Sequence, residues 1–245
     1  MLILEKDPKS PVAEAFRTLR TNIQYSSFDK RMKTILVTSA GPGEGKSTTC
    51  ANLALTIAET SKKVLLIDCD LRKPTMHKKF KVSNEKGISD FLVGDVDLEE
   101  ALKKYKENLY IMTSGTIPPN PSEMLASNKL KTFLEDMEDK FDYILIDSPP
   151  VLAVTDAQIL STIADGVIMV VASGQTAKEM SQKAKELLLK VKANILGVIL
   201  TKVEIRTGKS YNSKYGYAYY YYYNEDGDKV KKKKSGLDKL KRKGA

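Results

Sequence analysis

Six short apolar runs, rich in β-branched residues, recur along the chain, and helix-like stretches separate most of them. Their sequences are TILVTS, VLLID, LYIMT, YILID, GVIMVVAS and ILGVILTKV, beginning at residues 34, 64, 109, 143, 166 and 195. Strands that are apolar on both faces and alternate with helices form a mainly parallel sheet that helices cover on both sides. The sequence therefore predicts a doubly wound α/β domain over residues 31–203.

The residues before the first strand predict a single helix. Ser10 is a candidate N-cap, and Pro11 suits the first helical position. The apolar face of this helix is predicted from helical spacing as Ala15, Phe16, Leu19 and Ile23. We expect residues 1–30 to form a helical segment that lies on the domain.

The last 42 residues, 204–245, lose this alternation and become rich in Gly, Ser, Asn, Tyr and Lys. Seven of the twelve tyrosines fall in residues 215–223, and residues 229–245 carry nine Lys or Arg against one Asp. Most of the formal net charge of +9 therefore belongs to this end. We predict a disordered tail, whose lysines are either simply solvated or attract anionic lipid or nucleic acid.

A glycine-rich stretch, AGPGEGKSTT, joins the first predicted strand to a helical pattern. Strand, loop and helix in this order are the context of a phosphate-binding P-loop, although Ala40 stands where the strict pattern begins with Gly. The predicted nucleotide-binding residues are Gly41, Pro42, Gly43, Glu44, Gly45, Lys46, Ser47 and Thr48. Lys46 would bridge the β- and γ-phosphates of ATP, and the Ser47 hydroxyl would ligate Mg²⁺.

Three aspartates follow predicted strands, Asp68 and Asp70 after the second and Asp147 at the end of YILID. The carboxyl ends of parallel strands line one edge of a sheet, so we expect these carboxylates beside the P-loop. Asp147 is predicted to hold Mg²⁺ directly or through water. Of Asp68 and Asp70, one would orient the metal and the other would accept a proton from an incoming hydroxyl, and spacing does not decide which.

Six segments together resemble the bacterial tyrosine kinases of capsule and exopolysaccharide synthesis, a family with a P-loop NTPase fold. They are EAFRTLRTN, GPGEGKST, LLIDCDLRKP, GTIPPNPSEML, ILIDSPPVLAVTDA and the tyrosine-rich C-terminus. The resemblance implies ATP and Mg²⁺ as cofactors, with Lys46, Asp68, Asp70 and Asp147 as catalytic residues and Ser47, Asp70 and Asp147 at the metal. It also implies a ring, an octamer, whose subunits associate through Glu14, Arg17 and Arg20, although these could equally form local ion pairs on a solvated helix.

Further expectations about partners and location come from the same resemblance. They are a cytoplasmic kinase subunit, activation and recruitment to the membrane by a transmembrane partner, and a cognate phosphatase that reverses the reaction. The tail would be phosphorylated in trans, and other protein tyrosines would also be substrates. The predicted acceptors are Tyr211, Tyr215, Tyr217, Tyr219, Tyr220, Tyr221, Tyr222 and Tyr223.

Two alternative functions remain. A partition or septum-placement ATPase would keep the fold, but such proteins usually carry a signature lysine where this chain has Gly41. A nucleic-acid binder would use the tail's tyrosines for stacking and its lysines for phosphates, but it gives Asp68 and Asp70 no purpose, so we expect no specific nucleic acid.

Smaller features are interpreted structurally. Cys50 and Cys69 lie in apolar segments and are expected as buried reduced thiols, which suits a cytoplasmic location. No apolar run has the roughly eighteen residues of a membrane span. Ser122, in the IPPNPSEML turn, is a candidate helix cap.

Overall fold

All six apolar runs form strands in the computed structural model, which describes residues 2–26 and 32–203. The strands, in chain order, are β1 (Thr34–Ser39), β2 (Val64–Asp68), β3 (Leu102–Lys106), β4 (Leu109–Met112), β5 (Tyr143–Asp147), β6 (Gly166–Ala172) and β7 (Ile195–Thr201). Strand β3 was not predicted. None of the five residues of its sequence, LKKYK, is fully buried, because the strand lies at the edge of the sheet and pairs with β4 alone.

The seven strands form one sheet in the order β3-β4-β2-β5-β1-β6-β7. Every neighbouring pair is parallel except the antiparallel pair of β3 and β4. The predicted mainly parallel sheet is therefore confirmed. In its register, Asp147 at the end of β5 lies opposite Asp68 of β2 on one side and Val37 of β1 on the other. The strand ends that carry the predicted carboxylates are thus central in the sheet and level with one another.

Helices precede or connect the strands. In chain order they are α1 (Ile3–Lys6), α2 (Pro11–Ser26), α3 (Lys46–Ala58), α4 (Met76–Phe80), α5 (Ile88–Val93), α6 (Leu98–Ala101), α7 (Pro121–Leu125), α8 (Asn128–Glu138), α9 (Asp156–Ser161) and α10 (Lys178–Lys190).

Two separate apolar cores flank the sheet, as expected for strands buried on both faces. Leu36 of β1 points into the core that includes buried side chains of α5 and of α7 to α10. Its neighbours Ile35 and Val37 point into the opposite core, which α1 to α4 cover. This alternation explains why the strands are apolar throughout, and it confirms the doubly wound arrangement.

Helix α2 covers part of the second core and begins as predicted, with the Ser10 hydroxyl accepting a hydrogen bond from the Ala13 N–H at 3.2 Å. Ile23 is buried, and Phe16 and Leu19 are partly buried. The prediction for Ala15 is wrong, because Ala15 is exposed and Ala13 is buried in its place. The apolar stripe is therefore rotated from the predicted one at the start of the helix.

Three further predictions concern the cysteines, membrane-spanning helices and the C-terminal tail. Cys50 and Cys69 are both free and buried, as predicted. None of the helices among residues 2–26 and 32–203 is both long and apolar enough to cross a bilayer. The predicted tail, with all eight acceptor tyrosines, lies outside the described residues.

Candidate active site

The loop between β1 and α3 has the backbone of a phosphate cradle. Gly43 and Gly45 have φ values of 76° and 96°, which side chains other than glycine rarely adopt. Gly45 is the N-cap of α3, so the loop delivers its N–H groups to the positive end of a 13-residue helix. The Gly41 N–H donates to Glu44 Oε1 at 2.5 Å, and Thr201 at the end of β7 donates its hydroxyl to the Glu44 carbonyl at 2.6 Å. The loop is therefore held in shape from within and from the last strand.

Lys46, the first residue of α3, is the centre of the charged cluster. Its Nζ lies 2.8 Å from Asp70 Oδ2, 3.8 Å from Asp147 Oδ1 and 3.1 Å from Ser47 Oγ. Burial disfavours the charged form, but the nearby charges of Asp147 and Asp70 outweigh burial and raise the pKa of Lys46. The lysine is therefore a buried cation among carboxylates at physiological pH.

Asp147 is completely buried, with 0% of its surface exposed, yet neither carboxylate oxygen accepts a hydrogen bond from the described residues. Burial raises its pKa to about 6, against the opposing effects of the Lys46 charge and the nearby Ser47 hydroxyl. A buried carboxylate without a well-formed hydrogen bond is energetically costly unless a cation binds it. The side chain therefore fits the predicted role as a magnesium ligand.

The other two carboxylates are already engaged. Asp68 Oδ2 accepts the N–H groups of Thr75 and Met76, both at 2.9 Å, and its Oδ1 accepts the N–H of Asp70 at 3.2 Å. Burial and the charge of Asp147 nevertheless raise the pKa of Asp68 to about 7. Besides pairing with Lys46, Asp70 accepts the Lys73 N–H at 3.0 Å. Asp68 therefore fixes the backbone of the loop after β2. Asp70 instead pairs with Lys46, and a bound nucleotide would compete with Asp70 for this lysine.

The described residues contain no group of three or more His, Cys, Asp or Glu side chains arranged as a metal site. Mg²⁺ does not require such a group, because proteins usually bind it through one or two carboxylates while substrate phosphates and water supply the other ligands. Ser47, Asp70 and Asp147 are the predicted ligands, and the structure brings all three to Lys46.

Sequence reasoning gave no role to Arg72, which connects the loop after β2 to the first turns of α7 and α9. Its Nε donates to Asp156 Oδ2 at 2.9 Å, and its Nη2 donates to Asp156 Oδ1 at 3.1 Å and to Ser122 Oγ at 2.9 Å. Ser122 in turn donates to Asp156 Oδ1 at 2.6 Å. The predicted cap at Ser122 is therefore wrong: α7 begins at Pro121 after Asn120, and the Ser122 hydroxyl serves this network. The motifs around all three residues were visible in the sequence, but their contact was not.

The three residues predicted for subunit association lie together on α2 and make contacts within the chain. Arg17 pairs with Glu14 at 3.1 Å and donates to the Pro8 carbonyl at 2.9 Å, while Arg20 donates to the Thr56 carbonyl at 2.9 Å. The local ion pair considered as an alternative is thus present. The role in subunit association stays a prediction.

Comparisons with known proteins agree with this geometry. A family profile described as an AAA domain matches residues 32–197. The tyrosine-protein kinase YwqD of Bacillus subtilis is 46% identical over 88% of this chain and 90% of its own length. The putative tyrosine-protein kinase CapB of Staphylococcus aureus is 38% identical over 88% of this chain and 95% of its own. This chain belongs to the bacterial tyrosine-protein kinases.

Solved structures place the kinase in the same family. The kinase domain of the Escherichia coli tyrosine kinase ETK superposes with a TM-score of 0.82 at 32% identity, covering 88% of this kinase and 85% of that chain. The septum site-determining protein MinD from Pyrococcus horikoshii, complexed with Mg-ADP, matches with a lower TM-score of 0.59 at 29% identity, covering 69% of each chain. The kinase interpretation is therefore confirmed, and the partition or septum-placement alternative is the less supported.

Proposed function

We propose that this kinase uses ATP and Mg²⁺ to phosphorylate the tyrosines of its own tail in a neighbouring copy, Tyr211 to Tyr223, and tyrosines of other proteins. We further propose that this activity regulates the synthesis and export of capsular or exopolysaccharide. The observation that carries the proposal is the cluster around Lys46, in which a buried cation contacts Asp70 while Asp147 has no hydrogen-bond partner among the described residues. One lysine faces two carboxylates, so the cluster needs a cation for Asp147, and Lys46 needs another anion once that cation also binds Asp70.

Nucleotide binding would satisfy both needs. Residues 41–48 would enclose the phosphates, and Lys46 would turn from Asp70 towards the β- and γ-phosphates. Ser47, Asp70 and Asp147 would then hold Mg²⁺, directly or through water. The metal would neutralise charge on the phosphates and so lower the cost of transfer.

The transfer itself needs little beyond positioning and a proton acceptor. The phenol oxygen of an acceptor tyrosine would form a bond to the γ-phosphorus, while the bond from that phosphorus to the β–γ bridging oxygen breaks and leaves ADP. The phenol proton would pass to the carboxylate pair Asp68 and Asp70. The pKa of about 7 for Asp68 suits a proton acceptor at neutral pH.

Delivery of the tail in trans is compatible with chain dimensions. Residues 203–223 span at most about 65 Å when extended and roughly 25 Å as a coil.

We propose that residues 1–30 form the association segment, 31–203 the catalytic domain and 204–245 the acceptor tail. Glu14, Arg17 and Arg20 would join subunits into a ring, which by family resemblance would be an octamer. A transmembrane partner would activate the cytoplasmic kinase at the membrane, and a phosphatase would reset it.

The test is to incubate the purified full chain with Mg-ATP at high protein concentration and to map phosphorylated residues by mass spectrometry. Lys46→Met is the inactive comparison, and Lys62→Met, at a lysine in the turn between α3 and β2 that pairs with Asp142, is the control. We expect tail phosphotyrosine in the wild type and in the control, and none in Lys46→Met. ADP release without phosphotyrosine would contradict the proposal and leave an ATPase.

A further inference from the structure

Lys79 is a second lysine at the mouth of the phosphate loop, and no sequence motif singled it out. Its Nζ donates a hydrogen bond to Thr48 Oγ1 at 2.9 Å. Thr48 lies in the first turn of α3, two residues after Lys46. We propose that Lys79 binds the α-phosphate of the nucleotide, an inference that rests on the proposed function of this loop.

The backbone that carries Lys79 is fixed firmly to the rest of the site. Helix α4 begins at Met76, and the N–H groups of Met76 and of the preceding Thr75 both donate to Asp68. Met76 and Phe80, at the two ends of this short helix, are both buried in the core beneath α3. The direction in which Lys79 leaves the helix is therefore set by the same aspartate that belongs to the active site.

The charge of Lys79 has no carboxylate partner at ion-pair distance among the described residues. Lys79 is partly buried, and burial lowers its pKa, as does the charge of Lys46, while the charges of Asp147 and Asp68 oppose the change. A partly desolvated ammonium beside a phosphate loop, hydrogen-bonded to a neutral hydroxyl, favours an anion from outside the chain. Lys78, the preceding residue on the same helix, is exposed and makes no such contact.

The position along the loop indicates which phosphate Lys79 contacts. In a P-loop, the lysine binds the β- and γ-phosphates, and the hydroxyl of the next residue binds the metal. With Lys46 and Ser47 in these roles, the residues that follow in α3 lie farther from the γ-phosphate. Thr48 follows these two residues, and Lys79 approaches from its side. An α-phosphate contact is the same in ATP, in ADP and in the transition state, so it contributes to nucleotide affinity and not to the rate of transfer.

The experiment measures ADP and ATP affinity by calorimetry with Mg²⁺ present, for the full-length wild type, Lys79→Gln and the matched control Lys78→Gln. We expect Lys79→Gln to weaken both nucleotides equally, by about fivefold to thirtyfold, because it removes a charge-assisted hydrogen bond. Lys78→Gln should bind as the wild type does. In kinetics, Lys79→Gln should raise KM for ATP by a similar factor and leave kcat unchanged.

Each other outcome has a defined meaning. Equal ADP affinity in Lys79→Gln and the wild type would overturn this inference and leave the proposed function standing. Weakening of ATP alone would overturn the α-phosphate assignment. A wild type that binds neither nucleotide would remove the proposed function and this inference with it. Urea unfolding of the nucleotide-free variants, with an unchanged midpoint expected for Lys79→Gln, separates lost affinity from lost folding.

Discussion

Asp147 and Asp156 are both aspartates with 0% exposure near the same edge of the sheet, and their surroundings are opposite. Asp156 receives two hydrogen bonds from Arg72 and one from Ser122. Asp147 accepts no well-formed hydrogen bond from the described residues, and its polar neighbours are the Lys46 ammonium at 3.8 Å and the Ser47 hydroxyl. The difference distinguishes a carboxylate whose partners lie within the fold from one that we propose binds a ligand, because a buried carboxylate without partners is costly.

The largest expected effect concerns activity. Asp147→Asn should reduce tail phosphorylation about 100-fold or more, because the amide cannot replace a carboxylate at the metal. Asp156→Asn, the matched change at the satisfied carboxylate, should stay within about fivefold of the wild type. Initial rates of phosphotyrosine formation decide the comparison. Similar losses in the two variants would mean that the distinction between the carboxylates is wrong.

The next effect concerns stability on the Asp156 side. Arg72→Gln should lower the free energy of unfolding by about 1–3 kcal/mol, because Asp156 then keeps a buried charge without its cation. The value is at the lower end of the range for buried pairs since 38% of the Arg72 side chain is exposed. Urea unfolding measures it, with the neighbouring Lys73→Gln as control. An Arg72→Gln protein as stable as that control would show that the network contributes nothing.

At Asp147, in contrast, substitution is expected to raise the free energy of unfolding. The pKa of Asp147 is about 6 in the fold against an ordinary 3.8, so the folded state binds a proton that the unfolded state releases between these values. Stability therefore falls as pH rises through this window, and the loss is complete above it. Asp147→Asn should stabilise the nucleotide-free kinase by about 1–2 kcal/mol at pH 8 and have little effect near pH 4. Urea unfolding at both pH values would contradict this if the variant were less stable at pH 8.

The smallest expected effect is on stability, and it compares the contributions of Ser122 and Arg72 to the hydrogen bonds around Asp156. Ser122→Ala removes the hydrogen bond that Ser122 donates to Asp156 and the one that it accepts from Arg72, but it leaves both hydrogen bonds from Arg72 to Asp156, so it should cost about 0.5–1.5 kcal/mol. Thermal or urea unfolding measures this, and Ser122→Ala should be less destabilising than Arg72→Gln. The reverse order would place the main stabilisation in the hydroxyl and not in the ion pair.

The sequence predicted those parts of the molecule that depend on local patterns. Strands β1, β2 and β5 have the predicted bounds because uninterrupted apolar runs are long enough to specify a doubly buried strand. Their register then brings Asp68 and Asp147 level, which follows from the parallel topology. The loop was recognisable because two of its backbone positions with positive φ, Gly43 and Gly45, require glycine in the sequence.

The features that were missed depend on contacts between distant segments. Strand β3 lacks an apolar run because it has one neighbouring strand and no fully buried residue. Ser122 is 34 residues from Asp156, and Lys79 is 31 residues from Thr48, so neither pairing has a local signal. The error at Ala15 arose because helical spacing alone does not fix which stripe of a short amphipathic helix faces the core.

The central claim is that the cluster around Lys46 transfers phosphate to the tail of another copy. The most direct measurement mixes Lys46→Met full chain, as acceptor, with a donor that has an intact Lys46 and phenylalanine in place of all eight tail tyrosines. With Mg-ATP, we predict phosphotyrosine on the Lys46→Met tail only when the donor is present. An acceptor tail that stays unmodified, while the wild type phosphorylates its own, would contradict transfer between copies.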